Sequence, residues 1–149
     1  MAGAVIDEHE RYARYLLEFA NVAEADEPEL VRAVPTDPDQ VMAEAAVVRH
    51  LDLRAAALQG DRGFPAWAAR MGELVGGRRF PARRLREWVL LRALTRDEDW
   101  READLTSASD WLQRRACAEP AVPAALAVLA ERGRPRRVRA AALRARERV

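Results

Sequence analysis

Apolar residues recur along this chain at the three- and four-residue spacing of a single helix face, and a proline or a capping side chain restarts the pattern at short intervals. From Tyr12 the stripe runs through Tyr15, Leu16, Phe19, Val22 and Ala23, which predicts a first amphipathic helix over 7–25. Rods this short are marginal alone in water, so each must hide its apolar side against neighbours. No stretch alternates apolar and polar residues as a half-buried strand would. The expected fold class is therefore all-α.

The restarts fix the remaining elements. Asp37-Pro38-Asp39-Gln40 reads as a helix start, with Asp37 as the cap, Pro38 in the first turn and Gln40 reaching back. The helix that follows is predicted to bury Val41, Ala45, Val48, Leu51, Ala55 and Leu58, and Gly60 to end it in a left-handed turn. Segment 26–36 reads as a connection with one helical turn around 29–33. Phe64-Pro65-Ala66 and Phe80-Pro81-Ala82 each open a helix, with the Phe packing back onto the helix it introduces. The first of these runs over 65–75 and stops at Gly76-Gly77. The second runs over 81–95, with Leu85, Trp88, Val89, Leu91 and Ala93 inward. A connection over 97–105 and cap candidates from Thr106 to Asp110 precede a helix to Ala118. Pro123 starts a helix ending at Gly133, and Pro135 starts the last, over 135–148. The predicted count is seven.

Near the C-terminal end the pattern takes a more particular form. Asp110-Trp111-Leu112-Gln113-Arg114-Arg115-Ala116 is echoed by Arg134-Pro135-Arg136-Arg137-Val138-Arg139-Ala140-Ala141, with the apolar run Val122 to Ala130 between them. An apolar first helix, a tight turn and a Val-Arg-x-x-Ala start to the second helix resemble the HEAT-repeat family. The resemblance is clearest over 106–146, weak over 38–95 and absent from 1–37, which reads as an N-terminal capping helix and connection. One departure is that Arg134 and Pro135 stand where such repeats often place an aspartate. The resemblance implies about seven short antiparallel helices stacked as a small solenoid, one domain over 1–149, whose concave face binds partners.

Composition narrows the class. Half the residues are apolar and a third are charged, which excludes a disordered chain and a membrane-embedded one. One cysteine, Cys117, excludes an intramolecular disulfide and a zinc finger, and reads as a small buried apolar group. No apolar run approaches the ~20 residues of a membrane helix, and no charged-then-apolar leader is read. The expectation is a soluble, cytoplasmic protein without membrane contact. The net charge of +1 conceals a division, because residues 1–60 carry twelve acids against five arginines and residues 61–149 twelve acids against twenty. Such polarity can orient a partner or favour self-association between the acidic N-terminal and basic C-terminal halves. Every basic residue is arginine and none is lysine. That uniformity fits a GC-rich coding bias, so the arginine excess alone does not argue for nucleic acid.

Catalytic constellations are weak. His9 and His50 lie on separate helices without the Glu-x-x-His ligand spacing of di-iron bundles, and read as solvated or core-edge histidines. Ser107 and Ser109 sit where capping explains them, the glycines lack phosphate-loop spacing, and Glu8/Glu10 and Asp97/Glu98/Asp99 read as solvated acids. Neither enzyme, cofactor nor metal is expected. Of the four tryptophans, Trp88 and Trp111 fall on apolar stripes, Trp67 follows a proline-started turn, and Trp100 lies in a charged link. On the last helix, Val138, Ala141, Ala142, Ala145 and Val149 form the inward stripe, flanked by Arg137, Arg144 and Arg148 on one side and Arg139 and Arg146 on the other. The expected function is a non-enzymatic adaptor that binds a protein or peptide bearing an acidic patch, with Arg83, Arg84, Trp100, Arg114, Arg115 and Arg137 at the contact surface. The alternative is a nucleic-acid-binding protein using the Arg-rich C-terminal half. HEAT-like folds also occur in DNA glycosylases for alkylated bases, but none of their catalytic residues has a counterpart here.

Overall fold

The structure, a computed structural model, describes residues 7–119 and 121–148. Among these the chain is all-helical, with nine α-helices. They are α1 (Glu8–Asn21), α2 (Glu27–Ala33), α3 (Gln40–Leu58), α4 (Phe64–Val75), α5 (Arg79–Arg96), α6 (Glu102–Thr106), α7 (Asp110–Ala118), α8 (Pro123–Arg132) and α9 (Arg136–Glu147). Two 3-10 turns, Glu24–Asp26 and Val34–Thr36, flank α2. The count exceeds the predicted seven because α2 and α6 lie in segments read as connections. Both are too short to carry a visible stripe, and tertiary burial of Val31 and Leu105 holds them helical.

Helix starts follow the punctuation closely, with one correction. Asp39, not Asp37, caps α3, its carboxylate accepting from the Met42 amide at 3.1 Å. Asp37 instead accepts from the Asp39 amide at 2.9 Å, the Tyr15 hydroxyl at 2.6 Å and Arg11 Nε at 3.2 Å. Gln40 does reach back, donating to the Asp37 carbonyl at 2.6 Å. Pro65 and Pro123 sit in the first turns of α4 and α8, and Ser109 caps α7 by accepting from the Leu112 amide at 3.2 Å.

The buried face of α3 also differs from the expected one. Met42, Ala43, Ala46, Val47, His50, Leu51 and Ala55 are buried, whereas Val41 is 81% exposed. The stripe is rotated because two polar residues of α3, His50 and Arg54, turn toward a buried carboxylate. No glycine among the described residues has a positive φ, so Gly60 does not close α3 through a left-handed turn. The two Phe-Pro elements also part ways: Phe64 is buried against Trp67, and Phe80 is 63% exposed.

The chain divides into two compact units, one ending at Leu85 and one beginning at Arg86, with the division inside α5. In the first unit α1 packs on α3, α2 on α4, and α3 on both α4 and the Val34–Thr36 turn. Its core holds Phe19, Val31, Val34, Leu51, Phe64, Trp67 and Met71. In the second unit α8 packs on α9, α7 on both, and α6 on α8. Gln113, fully buried, ties these helices by donating to the Leu105 and Thr106 carbonyls and accepting from the Arg134 amide at 3.0 Å. Glu87 accepts from both the amide and the hydroxyl of Ser109, which locks the α7 cap to α5. On α9, Val138, Ala142 and Ala145 are buried and Ala141 is half-buried; Val149 lies outside the described residues. No helix among the described residues is long and apolar enough to cross a membrane.

Two turns expose the stereochemical demands of the second unit. Asp97 adopts φ 54° just past α5, and the Glu98 amide bonds the Ala93 carbonyl at 3.0 Å, the six-to-one bond of a Schellman closure. Replacing Asp97 with glycine removes the left-handed penalty and is expected to raise stability by about 0.5–1 kcal/mol. Gly133, which joins α8 to α9, is needed for space rather than for its φ. A β-carbon there would stand 2.6 Å from the Leu129 carbonyl oxygen and 2.8 Å from Val138. Gly133→Ala is expected to cost about 1–3 kcal/mol in denaturant unfolding, and a neutral result would contradict this packing.

Candidate functional site

The residues singled out for partner contact fall in both units. Arg83 is exposed and Arg84 pairs with Asp52 at 3.0 Å, both on the first-unit part of α5. In the second unit Trp100 is half-buried in the link between α5 and α6. Arg114 and Arg137 are exposed, on α7 and α9. Arg115 is engaged inside its own unit. Its guanidinium lies 4.7 Å from the Trp88 ring centre and 5.6 Å from that of Trp111, and it pairs with Glu119 at 3.3 Å. Trp88 and Trp111 meet edge to face at 5.4 Å, so this arginine completes a packed aromatic cluster. Cys117 is buried as expected, and burial pushes its thiol pKa up despite Arg144 nearby, which makes it a poor nucleophile.

The most organised polar site lies elsewhere, in the first unit. Glu27, the first residue of α2, is 2% exposed. Its carboxylate accepts from His50 Nε2 at 2.6 Å and Arg54 Nε at 3.0 Å, both on α3, and from Trp67 Nε1 on α4 at 3.1 Å. Phe19 of α1 stacks on the His50 ring at 4.3 Å and 16°. One carboxylate thus gathers donors from two helices, and a third helix closes over the histidine. Burial pushes the Glu27 pKa up, but the hydrogen bonds from His50, Trp67 and Arg54 and the Arg54 charge reverse this and hold it at about 2. Glu27 is therefore an anion at any ordinary pH and acts as an acceptor only. His50 accordingly presents a proton on Nε2, and Nδ1 has no partner among the described residues.

Two recesses open beside this cluster and share Phe19, Ala20, His50 and Arg54. One, of about 320 Å³, is completed by Leu16, Arg49 and Leu53. The other, of about 250 Å³, is completed by Val22, Glu24 and Glu27. Arg49 is exposed and Leu53 is 55% exposed, so the mouth of the larger recess pairs a cation with an apolar side chain. His9, by contrast, is exposed at the start of α1, and no three potential metal-ligating side chains gather among the described residues. A second, smaller cluster joins Tyr15 and Arg11 of α1 to Asp37. The Tyr15 hydroxyl bond, then the Asp39 amide, lower the Asp37 pKa, and the same bond raises that of Tyr15.

No family model matches the chain, and comparison with curated proteins and with solved structures gives no match.

The Glu27 site escapes a reading of linear patterns, since its partners lie 23, 27 and 40 residues away. A signal was nevertheless present. Glu27 heads the run Glu27, Val31, Val34 at helical spacing, and His50 and Arg54 stand four apart beside Val47 and Leu51. Polar groups interrupting an apolar stripe on two helices point to a mutual buried contact.

The lowered Glu27 pKa fixes a sign. A carboxyl held below its ordinary 4.5 contributes stability above that pH and loses it as pH falls toward about 2. The stability gap between the wild type and Glu27→Gln is expected to narrow by about 3 kcal/mol from pH 6 to pH 2 in denaturant titrations. A gap that stays constant with pH would show that Glu27 titrates normally.

Proposed function

We propose that the chain is a small helical-repeat binding module that recruits an acidic segment of a partner protein through the arginines of α7 and α9. The observation that carries this reading is the unbalanced charge of α9. Arg136, Arg137, Arg144, Arg146 and Arg148 are exposed and have no acidic partner among the described residues, and Arg114 on α7 is in the same state. The second unit holds fourteen arginines against ten acids, so its own carboxylates cannot neutralise this side. Helix-terminal carbonyls offset the last-turn arginines and water solvates the exposed guanidinium groups, but a row of like charges on one helix still raises a positive field that favours an acidic partner. A carboxylate-bearing partner supplies the complement.

The packing order supports the HEAT-like part of the reading. In the second unit α6 packs on α8 and α7 on α9, and in the first α1 packs on α3 and α2 on α4. Contact between alternate helices is the order in which stacked helix pairs bury a shared core. Arg115 rests on Trp88 and Trp111 and pairs with Glu119, and Arg84 pairs with Asp52, so both already have contacts within their own units.

Fluorescence anisotropy separates the alternatives, using a labelled Glu/Leu-rich peptide and short single- and double-stranded DNA. The peptide is expected to bind, and Arg114→Glu/Arg137→Glu to weaken it about tenfold or more with unchanged helical circular dichroism. DNA binding with a steep salt dependence, stronger than peptide binding, would replace this reading with a nucleic-acid one. Binding to neither probe would refute both.

A further inference from the structure

The larger recess beside His50 has the make-up of a ligand site that the adaptor reading leaves unused. Its walls are apolar at Leu16, Phe19, Ala20 and Leu53, and its polar groups are Arg49, His50 and Arg54. No carboxylate lines it. Arg54 spends its Nε on Glu27, and its two terminal nitrogens have no partner among the described residues. Since Glu27 already balances the Arg54 charge, the uncompensated charge at the recess is that of Arg49. One negative charge balances the site; a dianion would overcharge it.

The histidine adds a second requirement. His50 is 4% exposed, with one ring face under Phe19 and Nε2 on Glu27. With Nε2–H given to Glu27, the ring atom left for a ligand is Nδ1, which accepts a hydrogen bond when the ring is neutral. An occupant that engages the neutral ring carries a donor as well as an anion, and a volume of about 320 Å³ lies at the small end of ligand pockets.

From these groups we infer that the recess between α1 and α3 binds a small organic monocarboxylate with an apolar body and a hydroxyl next to the carboxylate. Arg49 and the terminal nitrogens of Arg54 hold the carboxylate. Nδ1 of His50 accepts from the hydroxyl, and Leu16, Phe19 and Leu53 cover the apolar body. Glu27 acts as a positioning residue, fixing both the histidine tautomer and the reach of Arg54.

Calorimetric titration tests this with 3-phenyllactate, 3-phenylpropionate, phenethylamine and inorganic phosphate as probes. Phenyllactate is expected to saturate one site with a Kd below about 1 mM, at least about fivefold tighter than phenylpropionate and more than tenfold tighter than the amine or phosphate. Arg49→Ala, at an exposed position, is expected to keep the fold and weaken phenyllactate about tenfold. In amide and indole NMR spectra phenyllactate should shift His50 and the Trp67 indole, and leave α9 unmoved. The inference is overturned by the absence of saturable binding, by equal affinity for phenyllactate and phenylpropionate, by phosphate binding as tightly, or by an Arg49→Ala variant that binds like the wild type.

Discussion

One negative charge removed from water governs the first unit. An ionised carboxylate in a protein interior is expensive unless every oxygen is met, and an uncompensated one would be neutralised or would break the fold. Glu27 avoids both fates because three donors converge on it from α3 and α4. Each donor places its own helix. The indole of Trp67 fixes α4 over α2, while His50 and Arg54, four residues apart, turn α3 about its axis and so select which of its apolar residues go inward. Phe19 then seats α1 on the histidine ring. A short, proline-bearing helix such as α2 has little reason to persist in isolation, and here it becomes the piece around which its neighbours are arranged.

The second unit manages its polar groups differently. Its buried polar members act close to home: Gln113 answers backbone groups at both ends of its amide, Glu87 serves the Ser109 cap, and Arg92 pairs with Glu98. Most of its arginines stay at the surface, whereas Arg92 is buried and Arg115 lies on its tryptophan pair. A buried carboxylate organises the helices of the first unit, while most arginines of the second stay exposed. The internal order borders a recess in which Glu27 holds His50 Nε2 and Arg54 Nε in place.

Helix boundaries were legible because proline, serine and aspartate act locally. Pro65, Pro123, Ser109 and the Asp-Pro-Asp run each fix a start through a missing amide or a side-chain acceptor within a few residues. The buried partners of the C-terminal helices were legible too, since Val138, Ala142 and Ala145 follow a simple stripe. Glu27 was not. It lies among Glu24, Asp26 and Glu29, and only its helical register with Val31 and Val34 sets the enclosed acid apart from those that stay wet. The face of α3 was misjudged for the same reason, because counting apolar residues alone gives weight to Val41 and none to His50. Phe80 repeats the motif of Phe64 yet remains exposed, which shows that a local device places a ring only where the fold supplies a surface to receive it.

The arrangement of α1 to α4 depends on whether the carboxyl of Glu27 is held as an anion by its neighbours. Carbon-detected NMR of that carboxyl through an acid titration observes this without recourse to stability. The expected inflection lies at about 2. An inflection at the ordinary glutamate value or above it would mean that His50, Arg54 and Trp67 do not close on the carboxylate, and both the arrangement of α1 to α4 and the recess beside them would have to be redrawn.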